Sequence, residues 1–215
     1  MCGRYTLFNL RELEAEYALP DDFTFEPQYN VAPTQTMPVV TQDGVELMRW
    51  GLIPMWARDE KIGYRLINAR SETVFEKPIW KAVITRRKCL IPANGFYEWQ
   101  KEDGGKQPFY IYPKDQKLFM FAGVWDVWKH NGREWHTYSI LTTQANKEME
   151  NIHDRMPVIL RKVDWQQWLE ADRQEDIEPL LAPYKDGGLD LFPVSKEVNV
   201  VRTNKDTLIL PINSK

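Results

Sequence analysis

Short apolar segments separated by turn residues run through most of the chain, and they predict strands more often than helices. Asp-Gly and Asn-Gly suit two-residue hairpin turns because glycine tolerates positive φ. Three pairs of apolar segments flank such turns: residues 37–41 and 45–50 around Asp43-Gly44, residues 118–129 and 134–142 around Asn131-Gly132, and residues 96–100 and 108–112 around a turn at 102–106. The pattern therefore predicts a sheet built largely from antiparallel neighbours.

A period near 3.6 predicts a few short helices between the strands. A strand-like segment at residues 3–8 is followed by apolar positions at helical spacing, which are Leu10, Leu13, Tyr17 and Leu19. Asn9 is placed to cap that helix. Further helices are predicted at residues 78–84, 144–151 and 164–181. Strands outnumber helices and no βαβ alternation is visible, which predicts an α+β fold with one domain over residues 1–215, a curled antiparallel sheet or barrel flanked by short helices.

Composition narrows the class of protein. The chain has 215 residues, 43% hydrophobic and 27% charged, a length that suits one compact domain. Its longest apolar run, residues 118–125, is far shorter than the ~20 residues that span a bilayer, so no membrane association is expected. With only two cysteines and no secretory signal, we expect a monomer in the cytoplasm, nucleoid-associated if bacterial. No paired Cys or His spacing predicts a metal site, and no cofactor is expected.

The charge of the chain is uneven. The net charge is -3, yet residues 49–88 hold ten Lys and Arg against four Asp and Glu, a local excess of six positive charges. Aromatic residues interleave with this segment at Trp50-Gly51-Leu52-Ile53-Pro54-Met55-Trp56. Arg and Lys hold phosphates while exposed aromatics stack bases, so the segment is compatible with a small footprint on single-stranded nucleic acid. A solvated surface with its aromatics in the core is the alternative.

Cys2 carries the most distinctive chemistry. Removal of Met1 is expected because the cysteine side chain is small, and it leaves an α-amine beside a thiol. An α-amine titrates near 7.7–8.0, so part of it is neutral and attacks an aldehyde to give a Schiff base, which the thiol closes into a thiazolidine ring. The alternative is an ordinary second residue without a role. Cys89 lies in an apolar run and is interpreted as a buried structural thiol.

Three further polar residues stand in unusual strings. Asn68 precedes Arg70 by two positions, so on a strand both side chains share a face, although a turn cap would also explain the asparagine. Glu98 lies between two large aromatics, a desolvated setting that suits proton transfer, unless it is a surface strand residue. His153 stands at a predicted helix end and is interpreted as a general acid or base, a metal ligand or a core histidine, although no second His or Cys stands at ligand spacing.

Six strings together resemble the SOS response-associated peptidase (SRAP) family, in order from residue 2 to about residue 200. They are Met1-Cys2-Gly3-Arg4-Tyr5, Asn30-Val31-Ala32-Pro33-Thr34, Trp50-Gly51-Leu52-Ile53-Pro54, Ile67-Asn68-Ala69-Arg70-Ser71-Glu72, Asn94-Gly95-Phe96-Tyr97-Glu98-Trp99 and Ile152-His153-Asp154-Arg155-Met156-Pro157. The resemblance implies a curled antiparallel sheet with a positively charged cleft. It also implies covalent capture of abasic sites in single-stranded DNA, which shields the damaged strand from cleavage.

The resemblance also assigns roles to residues. Cys2 matches the family's nucleophile, and Asn68, Glu98 and His153 match its catalytic polar residues. The positions that match DNA contacts are Arg4, Pro33, Trp56, Arg70, Trp99, Thr142 and Arg155. Some family members carry a second tryptophan after the Trp56 position, where this chain has Ala57, so the extent of base stacking differs.

Two other functions remain open at this point. A cysteine hydrolase would use Cys2 and His153 as nucleophile and base, with Asn68 orienting them, and would tolerate residues placed before the cysteine. A non-covalent reader of single-stranded nucleic acid would use Trp56, Trp99 and the arginines alone. The word peptidase in the family name further suggests cleavage of the Met1–Cys2 bond by the protein itself, which ordinary aminopeptidase processing would mimic.

Overall fold

The computed structural model describes residues 2–19 and 23–212, so the expectation for Met1 lies outside the described residues. The described residues contain these strands: β1 (Arg4–Leu7), β2 (Gln28–Val31), β3 (Thr36–Thr41), β4 (Gly44–Trp50), β5 (Asn68–Arg70), β6 (Lys88–Ala93), β7 (Gly95–Glu102), β8 (Gly105–Pro113), β9 (Phe119–His130), β10 (Arg133–Gln144), β11 (Arg155–Pro157), β12 (Ile159–Leu160) and β13 (Leu189–Pro193). The α-helices there are α1 (Arg11–Glu16), α2 (Pro78–Ile84), α3 (Trp165–Glu170) and α4 (Gln174–Ile177), and short 3₁₀ turns join several elements.

The strands form two sheets. The first has the order β13-β8-β7-β1-β2 and is antiparallel. The second runs β11-β10-β4-β3-β6-β9-β12, and β9 also pairs with β10, so five of its strands close into a barrel. The only parallel pairs among the described strands join β10 to β4 and to β5. The prediction of an α+β fold on a curled, mainly antiparallel sheet or barrel is confirmed.

All three predicted hairpins are confirmed. In the β9–β10 hairpin the two turn residues have positive φ, 50° at Asn131 and 76° at Gly132, as the Asn-Gly pair predicts. The β3–β4 and β7–β8 hairpins also form. The first turns at Gln42 and Asp43 rather than at Asp43-Gly44, because Gly44 already pairs with Thr41, and the second turns within two residues, Asp103 and Gly104, rather than five. Local turn chemistry therefore sets the register of most of the sheet.

Helix predictions are confirmed in part. α1 follows β1, but its N-cap is Leu10 rather than the predicted Asn9, whose Oδ1 accepts from the Arg11 backbone N–H at 3.1 Å; α2 has the predicted bounds. The helix predicted at 144–151 is wrong, because Asn146 instead caps a set of turns and donates to the Tyr184 carbonyl at 3.3 Å. The helix predicted at 164–181 breaks after α3, where the apolar stripe gives way to Asp172 and Arg173.

A buried aromatic cluster joins the two sheets and fixes the space between them. Tyr5 of β1 meets Trp50 of β4 edge-on at 5.3 Å, and its hydroxyl lies 2.8 Å from that of Tyr138 on β10. All three side chains are fully buried, and the burial of their apolar rings stabilises the contact between the two sheets.

Among the described helices, none is long and apolar enough to cross a membrane.

Candidate active site

Cys2 lies just before β1, where the two sheets meet. Its side chain is fully buried, and its Sγ is 3.6 Å from the Arg4 carbonyl oxygen, to which the thiol donates. Burial, and after it the charge of Glu98, raise the pKa of the Cys2 thiol well above its usual range. The resting thiol is therefore protonated, so any nucleophilic step at Cys2 needs a nearby base.

Asn68, the first residue of β5, holds the backbone at Cys2. Its Nδ2 donates to the Cys2 carbonyl oxygen at 2.8 Å. Its Oδ1 is buried and accepts no hydrogen bond from the described residues. The amide therefore fixes one group and keeps an acceptor for another beside Cys2. β5 is held in place by its parallel pairing with β10, which sets Asn68 opposite Ile140.

Glu98 approaches the cysteine from the neighbouring strand. β7 pairs with β1 through Arg4 opposite Tyr97, which brings Glu98 to the level of the chain entering β1. Its side chain is 2% exposed, and its charge acts on the Cys2 thiol. A buried carboxylate beside a protonated thiol is a suitable proton acceptor. The expectation of a desolvated rather than a surface glutamate is confirmed by this burial.

His153 stands between the 145–152 turns and β11, and its side chain is 28% exposed. Its Nδ1 lies 3.0 Å from the Arg155 backbone nitrogen and 2.7 Å from Asp154 Oδ1. In the neutral ring Nδ1 accepts from the Arg155 N–H, which leaves the proton on Nε2. In the charged ring Nδ1–H donates to Asp154. The imidazole can thus present an N–H at Nε2 in both states.

Thr142 and Arg155, two of the positions expected to contact DNA, are buried. The Arg155 guanidinium makes paired hydrogen bonds of 2.9 Å to both Glu72 oxygens and one of 2.7 Å to the Thr142 carbonyl. The Thr142 hydroxyl reaches the Ala69 carbonyl at 3.4 Å. This network, the Arg155–Glu72 clamp, ties the segment that carries His153 to the strand that carries Asn68.

The clamp predicts a pH-dependent contribution to stability. Hydrogen bonds from Arg155 lower the pKa of Glu72, so the stabilisation is present above its ordinary value and is lost as pH falls through the lowered one. Glu72→Gln should lower the free energy of unfolding by about 1–2 kcal/mol near pH 7, a figure reduced because the carboxylate is 39% exposed. In thermal unfolding the difference should shrink as the pH falls below the ordinary carboxyl range. Glu76→Gln, a nearby exposed carboxylate, is the control, and a difference that does not change with pH would contradict the assignment.

The other expected DNA contacts are more accessible. Trp56 is 64% exposed, Arg70 is exposed and Pro33 is half-buried. The residue after Pro33, Thr34, has a φ of 78°, which is unusual for a β-branched residue. Trp99 donates from Nε1 to Asn199 Oδ1 at 2.8 Å. Among the described residues, no group of three or more His, Cys, Asp or Glu side chains is arranged to hold a metal ion.

Sequence reasoning missed two residues that organise this site. Glu72 holds Arg155, and the buried Asn30 accepts from Arg4 Nη1 at 2.7 Å while donating to carbonyls of the 200–203 segment. Arg4 also donates to the Val198 carbonyl at 2.8 Å. Both missed residues stand inside the strings that carry the family resemblance, which was the available signal.

Fold and site together define a protein with a buried cysteine at its second position, whose carbonyl accepts from an amide and whose thiol is acted on by the charge of a buried carboxylate. The sequence matches the family described as SOS response associated peptidase (SRAP) over residues 1–201. It is 40% identical to the abasic site processing protein YoqW of Bacillus phage SPbeta, over 97% of this chain and 99% of that protein. It is 31% identical to the abasic site processing protein HMCES of Xenopus tropicalis, over 86% of this chain and 66% of that protein.

A solved structure agrees with these matches. The crystal structure of a Bacteroides thetaiotaomicron protein, structural-genomics target BtR8, superposes with a TM-score of 0.91 at 31% identity, over 98% of this chain and all of that one. The chain belongs to the SRAP family, as its six strings predict.

Proposed function

We propose that this protein processes abasic sites in single-stranded DNA by capturing them covalently through Cys2. The observation that carries the proposal is the position of Cys2: second in the chain, bound by Asn68 and acted on by the charge of Glu98. The relatives named abasic site processing proteins support the substrate.

The chemistry begins with removal of Met1, which frees the α-amine of Cys2. The ring-opened abasic sugar carries an aldehyde at C1′. The amine adds to that carbon and one water leaves, giving an imine. A base then takes the thiol proton as the sulfur adds to the same carbon, and a proton passes to the imine nitrogen, which becomes the ring N–H. One C–N and one C–S bond form and the C=O bond breaks, so the product is a thiazolidine plus one water. The imine no longer acidifies the C2′ proton, which protects the strand from β-elimination.

The surrounding residues divide this work. Glu98 accepts the proton of the Cys2 thiol, whose raised pKa makes such a base necessary. His153 donates from Nε2 to the sugar oxygen during ring opening. Asn68 holds the Cys2 carbonyl and uses its open Oδ1 to orient the amine or a sugar hydroxyl. The side chains are held by strand pairing, so little reorganisation precedes reaction.

The strand lies across the accessible DNA positions. We assign the phosphate and base contacts to Arg4, Pro33, Trp56, Arg70 and Trp99. Because the side chains of Thr142 and Arg155 are buried, we assign them no direct DNA contact; through the Arg155–Glu72 clamp they hold the strand that carries Arg70 in place. Since the footprint is a few phosphates, affinity should fall as salt rises.

The test compares three strands of one sequence: one with an abasic aldehyde, one with a tetrahydrofuran analogue that lacks the aldehyde, and one undamaged. Only the aldehyde strand should give a band that survives heat and detergent. Intact mass should equal the protein without Met1 plus the strand minus one water. A complex on all three strands that denaturation dissolves would overturn the proposal in favour of a non-covalent reader, and peptide hydrolysis without any DNA complex would favour a cysteine hydrolase.

A further inference from the structure

A basic surface outside the four catalytic candidates lies on the segment between β4 and β5. Arg58, Lys61 and Arg65 are exposed, and no ion pair joins any of them to the described residues. The two acidic residues of this segment bind other groups. Asp59 Oδ1 accepts from the Lys61 backbone N–H at 2.9 Å, and Glu60 forms an ion pair with Arg133 at 3.0 Å. The three cations line an open cavity of about 650 Å³ together with Trp56, Ala57, Asp59 and Ile62.

Exposed aromatic surface accompanies these cations. Tyr64, on the same 3₁₀ turn as Lys61 and Arg65, is 59% exposed, and Trp56 of the cavity is 64% exposed, whereas Trp50 and Trp168 are fully buried. The Arg49 guanidinium lies 5.6 Å from the Tyr64 ring centre and 4.9 Å from that of Trp135. The arginine thus holds the tyrosine ring from one side and leaves much of it open to solvent. A large aromatic ring held in place on a turn that also carries Lys61 and Arg65 suits base stacking next to phosphate contacts.

The segment is fixed to the barrel. A Cβ on Gly51, whose φ is +114°, would lie 2.6 Å from the Gly63 carbonyl oxygen, so the two backbones pack where no side chain fits. Leu52 N–H donates to the Leu66 carbonyl at 3.1 Å, and Trp128 Nε1 donates to the Ala57 carbonyl at 2.7 Å. The surface is therefore preorganised and spends little free energy on ordering when it binds.

The segment is also close along the chain to the candidate active site. The 3₁₀ turn at Glu60–Arg65 ends three residues before Asn68, the first residue of β5. Arg70, at the far end of β5, is exposed as well. Three residues span at most about 11 Å, so Arg65 lies near the Asn68 that contacts Cys2, and a strand whose abasic sugar reaches Cys2 brings neighbouring nucleotides to this segment.

We propose that Arg58, Lys61, Tyr64 and Arg65 form a flanking-strand site that binds undamaged nucleotides on one side of the lesion. The three cations hold backbone phosphates and Tyr64 stacks one base. The flanking-strand site depends on the proposed function only for the position of the lesion at Cys2. The site itself binds undamaged single-stranded DNA.

The first test measures binding without any covalent step. Fluorescence anisotropy with an undamaged single strand compares the wild type with a triple variant, R58A/K61A/R65A. Single strands release about 0.7 counterion per phosphate contact, so the triple variant should lower the slope of log affinity against log salt by about 2. A second triple variant, R11A/K106A/K117A, removes the same charge from exposed residues elsewhere and should leave the slope unchanged. Equal effects of the two variants would overturn the proposal.

The second test locates the site on the strand. Abasic strands are shortened on the 5′ or the 3′ side of the lesion, and the concentration for half-maximal capture is measured. Shortening one side should weaken wild-type capture and leave the triple variant unaffected, while Tyr64→Ala should weaken binding of the long strand about tenfold. Equal losses from both sides, or a triple variant as sensitive as the wild type, would contradict the site. If no strand is captured but the salt slopes differ as expected, the proposed function fails and the flanking-strand site stands.

Discussion

Cys2→Ala should abolish the heat-stable complex with an abasic strand, lowering the rate of capture by at least about 10³-fold. The variant keeps an α-amine, so a reversible Schiff base still forms, but no sulfur closes the ring. The measurement is a denaturing gel over time, with Cys89→Ala as the control because Cys89 is the other buried free thiol. A heat-stable band from Cys2→Ala at the wild-type rate would mean that another residue is the nucleophile.

An insertion separates the amine from the thiol. Placing one glycine between Met1 and Cys2 leaves the thiol in the chain but converts the Cys2 amine into an amide after Met1 is removed. Thiazolidine formation requires both groups on neighbouring carbons, so capture should be lost as fully as in Cys2→Ala. A cysteine hydrolase needs only the thiol, and an inserted variant that still acts on its substrate would favour that class.

Glu98→Gln should slow capture by about 10²–10⁴-fold, because glutamine keeps the size of the side chain but accepts no proton from Cys2. Binding of an undamaged strand should stay unchanged. Without the carboxylate the thiol must lose its proton to solvent, so the remaining rate should rise about tenfold per pH unit. Single-turnover rates at saturating abasic strand provide the measurement.

Glu102→Gln, at the exposed end of β7, is the matched control and should react as the wild type does. A Glu98→Gln protein with the wild-type rate, or a slow one without the rise with pH, would refute the role as proton acceptor.

The sheet could be predicted from sequence because its information is local. Asn131-Gly132 and Asp43-Gly44 each demand a tight turn, and alternation on either side then fixes the strands. The helix predicted at 144–151 failed because tertiary contacts decided the segment: Asn146 satisfies Met149 N–H and reaches Tyr184, which no local pattern reveals. The apolar stripe at Trp165 and Trp168 does lie buried on a helix, but that helix is shorter than the predicted one.

The candidate residues at the site could be named from the strings that contain them, but the contacts between them could not be predicted from sequence. Asn68 reaches the Cys2 carbonyl across 66 residues, and Arg155 pairs with Glu72 across 83. Pairings at such separation depend on the closed barrel rather than on spacing. For the same reason the sequence placed Thr142 and Arg155 at a DNA surface, whereas the fold buries both.

The wide spread of the site along the chain has a consequence for synthesis. Cys2 leaves the ribosome among the first residues, whereas β10 and His153 follow more than 130 residues later. At about 5–20 residues per second, roughly 7–30 seconds pass before the barrel can close around the N-terminus. During that interval Met1 is open to an aminopeptidase. If an aminopeptidase exposes the amine, as the proposed function requires, the order of translation gives it time to act before the thiol is enclosed.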